Sequence, residues 1–313
     1  MKLCVSPTSL KNAYDLINKQ VEYIIVGDDD YSVRMSFSCT WNDLVELNNN
    51  KQKTKIIVAV NAFFYDAQLD QLTEYLINLK KIGVDLIMFS DYAVAEINLE
   101  QNLGLNLMYN SETTVTSSKQ FPFFAENQIM SVFLAREMWL AEVKMICHDN
   151  PLNIQTMIQI NGLLFVMHSR WNLVSNFAAY ARQYEQVEFD KEAFLEIQEQ
   201  LRMYPHLLKQ DRYGTHMYSG YELCCVDILD KIKETKVDLL WINNYLHTDE
   251  ESLLLVDLYQ QAIKHLDNNS YDEVFKKTAW NTIKDLSYNK TITHSFYGTI
   301  KDILSMEKYE HEK

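Results

Sequence analysis

The sequence predicts an α/β fold, specifically a TIM-like (β/α)8-type barrel with an insertion and additional C-terminal helices. Short apolar runs rich in β-formers alternate with helical patterns through most of the 313 residues, as expected of a parallel sheet covered by helices. Eight such runs occur up to residue 242, which favours a closed barrel over an open doubly wound sheet. No GxGxxG motif follows any run, which further weakens the dinucleotide-binding alternative.

The predicted strands are short and apolar. The run KIIVAV has no polar interruption after its first residue, as expected of a strand whose two faces are both covered. The eight predicted strands cover residues 3–6, 23–27, 55–60, 86–89, 105–109, 130–134, 156–160 and 239–242.

The predicted helices are identified by apolar spacing and by capping residues. Thr40 is a suitable N-cap for a helix that begins at Trp41. Leucines at helical spacing predict a helix over residues 69–82, and Gly83 lies at its C-cap position. Further helices are predicted at residues 10–18, 95–101, 118–127, 139–148, 170–182, 191–203 and 223–234.

The chain divides into two predicted parts. Residues 1–247 form the barrel domain, and the segment 185–220, with a polar stretch at 209–214, is predicted to be inserted into it. Residues 248–313 are predicted to form a C-terminal helical extension that packs on the barrel and ends in a charged, frayed tail.

Composition narrows the functional class. With 29 basic and 43 acidic residues, the formal net charge of −14 disfavours nucleic-acid binding by this chain alone. The apolar run at the start of the sequence is too short for a signal peptide. No apolar run approaches the roughly 20 residues of a membrane span. We expect a cytoplasmic protein without disulfides, since its cysteines are odd in number and form no CxxC pair: Cys4, Cys39, Cys147, Cys224 and Cys225.

Several segments agree in order and spacing with one protein family. Residues 134–137 read LARE, the unaltered family motif, and residues 161–177 align without a gap to the family signature HGALCISYSGRCLLSNY. Shorter matches occur at residues 61–66, 83–87, 108–116, 213–215 and 221–224. The chain therefore resembles peptidase family U32, known for collagenase-like proteases, and the matches together extend over roughly residues 3–246.

The departures from the family pattern concern cysteines. In cluster-binding members two ligands lie in the signature, and here Phe165 and Asn172 occupy those positions. The third ligand region, a C..PC stretch, has no counterpart near residues 182–188, and only the fourth position keeps a cysteine, Cys224. A [4Fe–4S] cluster normally needs four thiolates, so we expect no cluster on this chain. If the alignment holds, Phe165, Asn172 and Cys224 should lie close together.

This pattern resembles the short paralogues that accompany a longer, cysteine-complete U32 protein. The resemblance implies a partner subunit in prephenate-dependent hydroxylation of the tRNA wobble uridine. The [4Fe–4S] cluster would then belong only to the longer partner, and tRNA would be reached through that partner. A collagenase-like peptidase, and a non-catalytic small-molecule-binding or assembly protein, remain as alternatives, so whether this chain is an enzyme stays open.

Peptidase chemistry would need a nucleophile activated by a base, or a metal-bound water. HExxH and GxSxG motifs are absent, and no metal site is predicted. His168 and Ser169 place a base beside a hydroxyl, although neighbours in sequence usually point apart. The alternative role for Ser169 is an N-cap of the following helix, and His168 is then a candidate for substrate binding.

Polar residues directly after predicted strands are the other site candidates, because strand ends converge at the rim where barrel active sites lie. Arg136 and Glu137 follow the sixth strand and are, with Ser169, the candidates for catalytic residues. Arg136 is suited to clamping a carboxylate or phosphate, and the alternative is an ion pair between Arg136 and Glu137. Asn61, Asp91 and Glu112 follow other strands and are predicted to face the same rim as substrate-binding residues.

Overall fold

The computed structural model describes residues 1–182, 194–198 and 204–299. The strands in these residues are β1 (Lys2–Ser6), β2 (Tyr23–Gly27), β3 (Lys55–Val60), β4 (Leu86–Phe89), β5 (Leu107–Tyr109), β6 (Ile129–Phe133), β7 (Gln155–Ser169), β8 (Leu195–Ile197), β9 (His206–Asp211), β10 (Gly214–Cys224), β11 (Leu239–Asn243) and β12 (Ile292–Thr293). Strands β1 to β7 pair in sequence, all in parallel, and β11 pairs in parallel with both β7 and β1. The eight strands close into a barrel, which confirms the predicted fold class.

Helices surround the barrel. Within the described residues they are α1 (Leu10–Asn18), α2 (Trp41–Asn50), α3 (Leu69–Ile82), α4 (Ala93–Glu100), α5 (Phe121–Glu126), α6 (Leu140–His148), α7 (Leu173–Ala181), α8 (Leu229–Thr235), α9 (Asp249–Asp267) and α10 (Glu273–Leu286). Thr40 and Asp43 form a reciprocal capping box at the start of α2, and Gly83 ends α3 in the left-handed conformation at φ 69°. Both predicted caps are confirmed.

The barrel strands are buried on both faces because alternate residues point to opposite sides. In β3, Ile57 and Ala59 join the interior cluster, whereas Ile56, Val58 and Val60 pack under the helices. This double burial explains why the strand sequences lack polar interruption, and it is why they could be recognised from sequence.

Strand β7 is much longer than predicted and continues beyond the barrel as an arm. Its second half pairs in antiparallel fashion with β10. Strand β10 pairs in turn with β9, and β9 pairs with β8. Gly162 lies where β7 leaves the barrel, at φ 97°, and a Cβ there would lie 1.9 Å from the carbonyl oxygen of Asn243. Only glycine fits such a conformation and approach, so this position fixes where the arm begins.

Within the described residues, the predicted insertion is therefore a β-sheet rather than a helix with a polar stretch. The helix predicted over 191–203 is wrong at Leu195–Ile197, which is strand β8, and its remaining residues lie outside the described ones. The polar stretch 209–214 contains the end of β9, the two-residue turn at 212–213 and the first residue of β10. The helix predicted over 223–234 begins only at Leu229, and the helix predicted from residue 170 begins at Leu173.

The C-terminal helices pack outside the barrel. Tyr259 on α9 is fully buried, and its hydroxyl donates to the carbonyl oxygen of Ile160 at 3.0 Å, which ties α9 to β7. Short strand β12 pairs with β10. The boundary at residues 247 and 248 remains a prediction, and most of the predicted frayed tail lies outside the described residues.

Candidate functional site: a charged cluster at the barrel mouth

A buried cluster of two arginines and one glutamate lies where the strands end. Glu112 Oε1 accepts a 2.7 Å hydrogen bond from Arg34 Nη2, and Glu112 Oε2 lies 3.3 Å from Arg136 Nη1. Arg136 Nη2 also donates to the carbonyl oxygen of Val166 at 3.3 Å. The three charged side chains are between 5% and 9% exposed, so the cluster carries a net positive charge in a nearly dry environment.

The phenyl ring of Phe165 contacts both guanidinium groups. The guanidinium carbon of Arg34 lies 4.2 Å from the ring centroid and that of Arg136 lies 4.9 Å from it. Both distances are typical of cation–π contacts. Arg34 Nη1 is buried and has no hydrogen-bond partner in the described residues. A buried donor without an acceptor is costly, so the cluster has capacity for one more anionic or carbonyl oxygen.

The predicted residue Asn61 orients this cluster rather than joining it. Its side-chain oxygen accepts from the amide of Val33 at 3.0 Å, and its nitrogen donates to the carbonyl of Val33 at 3.2 Å. Val33 precedes Arg34, and Arg34 and Glu112 both have a φ of 62°, a conformation that non-glycine residues seldom adopt. Asn61 thus fixes the loop that presents Arg34 to Glu112.

Two other predicted residues lie apart from the cluster. Glu137 is exposed, so Arg136 pairs with Glu112 and not with its neighbour in sequence. Asp91 accepts hydrogen bonds from the amides of Phe64 and Ala93, both at 3.0 Å. Asp91 therefore stabilises loop backbone at the rim, and its carboxylate oxygens are already engaged.

His168 and Ser169 do not form a base–nucleophile pair. His168 Nδ1 lies 3.2 Å from His216 Nδ1, whereas Ser169 Oγ accepts from the amide of Trp171 at 3.2 Å. Ser169 is not the N-cap of α7 either, because that helix begins at Leu173 and Asn172 is its N-cap. The side chains of His168 and Ser169 leave the strand in different directions, as expected for neighbours.

Sequence reasoning missed Arg34, His216 and Asp211. Six residues separate Arg34 from the end of β2, so the sequence does not indicate it as a strand-end residue. His216 and Asp211 lie on β10 and β9, which were not predicted as strands. A cavity of about 440 Å³ opens beside Arg34, and its lining includes Phe194, Asp211 and Tyr245.

A family model for peptidase family U32 matches residues 8–307. The chain belongs to peptidase family U32. A curated relative, tRNA hydroxylation protein P2 of Bacillus subtilis (strain 168), is 28% identical over 284 residues, which cover 89% of this chain and 91% of that protein.

Among solved structures, the U32 peptidase Mk0906 is 12% identical, with a TM-score of 0.42 over 52% of this chain and 69% of that one. N-acetylneuraminate lyase from Mycoplasma synoviae is 9% identical, with a TM-score of 0.42 over 98% of this chain and 93% of that one. Both likenesses are too distant to inform the activity of this U32 protein.

The thiols of this U32 chain do not fit a four-thiolate cluster. Cys4 lies inside the barrel, Cys39, Cys224 and Cys225 lie in the outer core, and Cys147 lies on α6. Burial raises the pKa of all five thiols above the ordinary value, to about 12 for Cys39 and about 11 for Cys147. In the described residues no group of three or more histidine, cysteine or acidic side chains is arranged to hold a metal ion.

The expectation that Phe165, Asn172 and Cys224 lie close together is wrong. Cys224 pairs with Asn161 across the β7–β10 ladder, whereas Phe165 pairs with Tyr218. Phe165 lies four residues beyond Asn161 on β7, a distance of roughly 13 Å along the strand. Cys224 also packs in the outer core, where Tyr259 Oη lies 4.0 Å from its sulfur. Cys224 is therefore not part of a remnant ligand set.

The searched part of the chain contains no helix long and apolar enough to cross a bilayer. This agrees with the short apolar runs of the sequence.

Proposed function

We propose that this chain is a cluster-free partner subunit of a longer, cysteine-complete U32 protein, and that the pair hydroxylates the tRNA wobble uridine in a prephenate-dependent reaction in the cytoplasm. The observation that carries the proposal is the match to tRNA hydroxylation protein P2, which extends over 89% of this chain. The partner would hold the [4Fe–4S] cluster, and this chain would supply a second barrel.

The distribution of the thiols supports a redox centre on another chain. A [4Fe–4S] cluster needs ligands that are deprotonated and converge on one point. Burial raises the pKa of Cys4 and Cys225 well above the ordinary value, and the two lie on opposite sides of the barrel wall. The net charge of −14 likewise favours contact with tRNA through a partner.

The barrel mouth favours a second, compatible function, which is the binding of a small carboxylic acid. Arg34 Nη1 lacks an acceptor in the described residues, and the Arg34–Glu112–Arg136 cluster has one cation in excess. A carboxylate would supply both the missing acceptor and the missing charge. Prephenate, a dicarboxylic acid, should raise the melting temperature of the pure chain, and Arg34→Met should abolish that rise.

A peptidase function has less support from the geometry, because among the described residues no base forms a hydrogen bond with Ser169. Incubation of the pure chain with gelatin or casein tests it. Sustained cleavage that Ser169→Ala abolishes would favour the peptidase over the partner subunit.

The principal test has two parts. The tagged chain is purified from its own host to determine whether a longer U32 protein co-purifies with it. Modified wobble uridine is then quantified by mass spectrometry in a strain that lacks the gene, with and without complementation. We expect co-purification and a loss of the hydroxylated nucleoside that complementation reverses; unchanged modification would contradict the proposal.

A further inference from the structure

Three side chains on the arm form a hydrogen-bonded row that the hydroxylation proposal does not use. Asp211 Oδ2 lies 2.9 Å from His216 Nε2, and His216 Nδ1 lies 3.2 Å from His168 Nδ1. His168 and His216 face each other directly in the β7–β10 register. The side chain of His216 is 1% exposed and that of Asp211 is 33% exposed, so the row leads from partly exposed Asp211 through a dry interior to His168.

The carboxylate at one end fixes how the protons are arranged. Since Asp211 accepts a hydrogen bond, His216 carries its proton on Nε2, and neutral His216 then has a lone pair on Nδ1. With His216 neutral, His168 donates to that lone pair, so its proton lies on Nδ1 and its Nε2 is unprotonated. In the described residues nothing forms a hydrogen bond with His168 Nε2, which leaves this nitrogen available as a proton acceptor.

His168 lines a cleft of about 150 Å³ beside the barrel mouth. The ring of Phe63 lies 5.7 Å from the His168 ring, and the guanidinium of Arg170 lies 4.0 Å above the ring of Tyr65. Phe63 and Tyr65 are 39% and 59% exposed, so their faces remain accessible. Arg170 Nη2 donates to the carbonyl of Phe63 at 3.2 Å, which holds a cation at the wall of the cleft.

We propose that this cleft binds a planar ring bearing a weakly acidic O–H or N–H, and that His168 Nε2 accepts that proton. Aromatic walls favour a flat ring, the volume admits one ring, and Arg170 lies where an anion would form. This site goes beyond the proposed hydroxylation role and does not depend on it.

The proton balance of the step is complete. The ligand O–H or N–H bond breaks and His168 Nε2 gains the proton. His168 Nδ1 then passes its own proton to His216 Nδ1, and the resulting imidazolium lies beside Asp211. The ligand anion remains beside Arg170. The charged and titratable groups that act on His168 include His216 on β10, Asp211 on β9, Arg34 after β2 and Arg170 after β7. The same cleft is also lined by Tyr65, Arg212 and Tyr213.

The electrostatics agree with a proton that His168 passes on to His216 rather than keeps. Burial, followed by His216 and Arg34, lowers the pKa of His168 to about 4, so His168 is neutral near pH 7. Burial alone would raise the pKa of Asp211, but the hydrogen bond with His216 outweighs burial. The pKa of Asp211 is therefore lowered overall, and Asp211 stays ionised. A proton passed to His216 lies opposite the Asp211 carboxylate, whose Oδ2 is 2.9 Å from His216 Nε2.

The test uses 4-nitrophenol, a flat ring with an acidic hydroxyl and a coloured phenolate, and nitrobenzene as the matched ligand without that proton. The pure full-length chain is titrated with each at mildly acidic pH. We expect 4-nitrophenol to bind about tenfold more tightly than nitrobenzene and to turn yellow on binding. Nitrogen-15 NMR should show free His168 protonated on Nδ1 and, on binding, changes at both histidines.

Variants separate a relay from simple packing. His216→Gln and the milder Asp211→Asn should keep nitrobenzene binding but lose the ionisation of 4-nitrophenol; the second variant serves if the first fails to fold. Equal binding of the two ligands without ionisation, no binding of either, or full ionisation in folded Asp211→Asn would each overturn the proposal.

Discussion

Arg34 and Glu112 are 78 residues apart in sequence, yet they form a 2.7 Å ion pair across the barrel mouth. Both adopt a φ of 62°, so the backbone on each side of the pair is held in an unfavourable conformation. Glu112 is also the carboxylate that faces Arg136, at 3.3 Å. A single buried acid therefore pairs with two cations, and the stability of the mouth depends on it.

Glu112→Gln should destabilise the fold by about 3–5 kcal/mol, because it leaves two buried guanidinium groups without a counter-charge. Urea unfolding of the pure chain measures this change. The matched control is Glu137→Gln, which removes the same charge from an exposed side chain beside Arg136 and should change stability by less than about 0.5 kcal/mol. Equal losses for the two variants would contradict the assignment.

Thiol reactivity should be low in the folded chain. Burial raises the pKa of Cys4, Cys224 and Cys225, so few thiolates form and little of each sulfur is accessible. Titration with a chromogenic disulfide reagent should modify these cysteines only after urea is added. Rapid modification of Cys4 in the native state, read by peptide mass spectrometry, would show that the barrel interior is open.

A second buried ion pair should make stability depend on pH. His247 Nε2 lies 2.9 Å from Glu222 Oε2, and the two side chains are 2% and 1% exposed. Burial lowers the pKa of His247, but the hydrogen bond with Glu222 outweighs it and the pKa is raised overall. Because the folded-state pKa exceeds the unfolded value near 6.5, the stabilisation is complete below about pH 6.5 and is lost as pH rises through the folded-state pKa.

His247→Gln should therefore reduce stability most at pH 6 and less at high pH. Urea unfolding across this range measures the difference. His265→Gln is the control, since half-buried His265 on α9 has its Nδ1 2.8 Å from the Ser270 hydroxyl rather than from a carboxylate. A loss in His247→Gln that is the same at every pH would show that the pair is not ionised.

Restoring cysteines at two family ligand positions should not create a cluster. Phe165 and Cys224 pair with different residues of the β7–β10 ladder, and Cys224 packs in the outer core. The double variant Phe165→Cys, Asn172→Cys, reconstituted with iron and sulfide under nitrogen, should remain colourless. Phe165→Ala is the control for lost cation–π contacts. A stoichiometric iron–sulfur spectrum would show that the positions converge.

The barrel could be predicted from sequence because its strands are apolar on both faces. All eight lie where the pattern placed them, and their ends shift by one or two residues except in β7, which continues to Ser169. The arm could not, since His216 and Thr215 place polar residues inside β10, and their burial depends on partners from β7 and β9. The local composition of β9 and β10 therefore did not indicate strands.

In the candidate site, too, some residues could be predicted from the sequence and others could not. Arg136 and Glu112 follow strands directly and were predicted at the rim, although their mutual pairing was not. Arg34 needed the Asn61 contact to Val33, which a sequence cannot reveal. The expected proximity of Cys224 failed because a linear motif match did not anticipate the extended β7–β10 hairpin.

Iron content and tRNA modification in a reconstituted pair test the central claim most directly. The chain alone, its longer U32 partner alone and the two together are reconstituted anaerobically, and each is assayed for iron and for prephenate-dependent hydroxylation of the wobble uridine. We predict no bound iron on this chain alone, iron with the partner, and full hydroxylation only when both are present. About four iron atoms on this chain by itself, or full activity without it, would contradict the account.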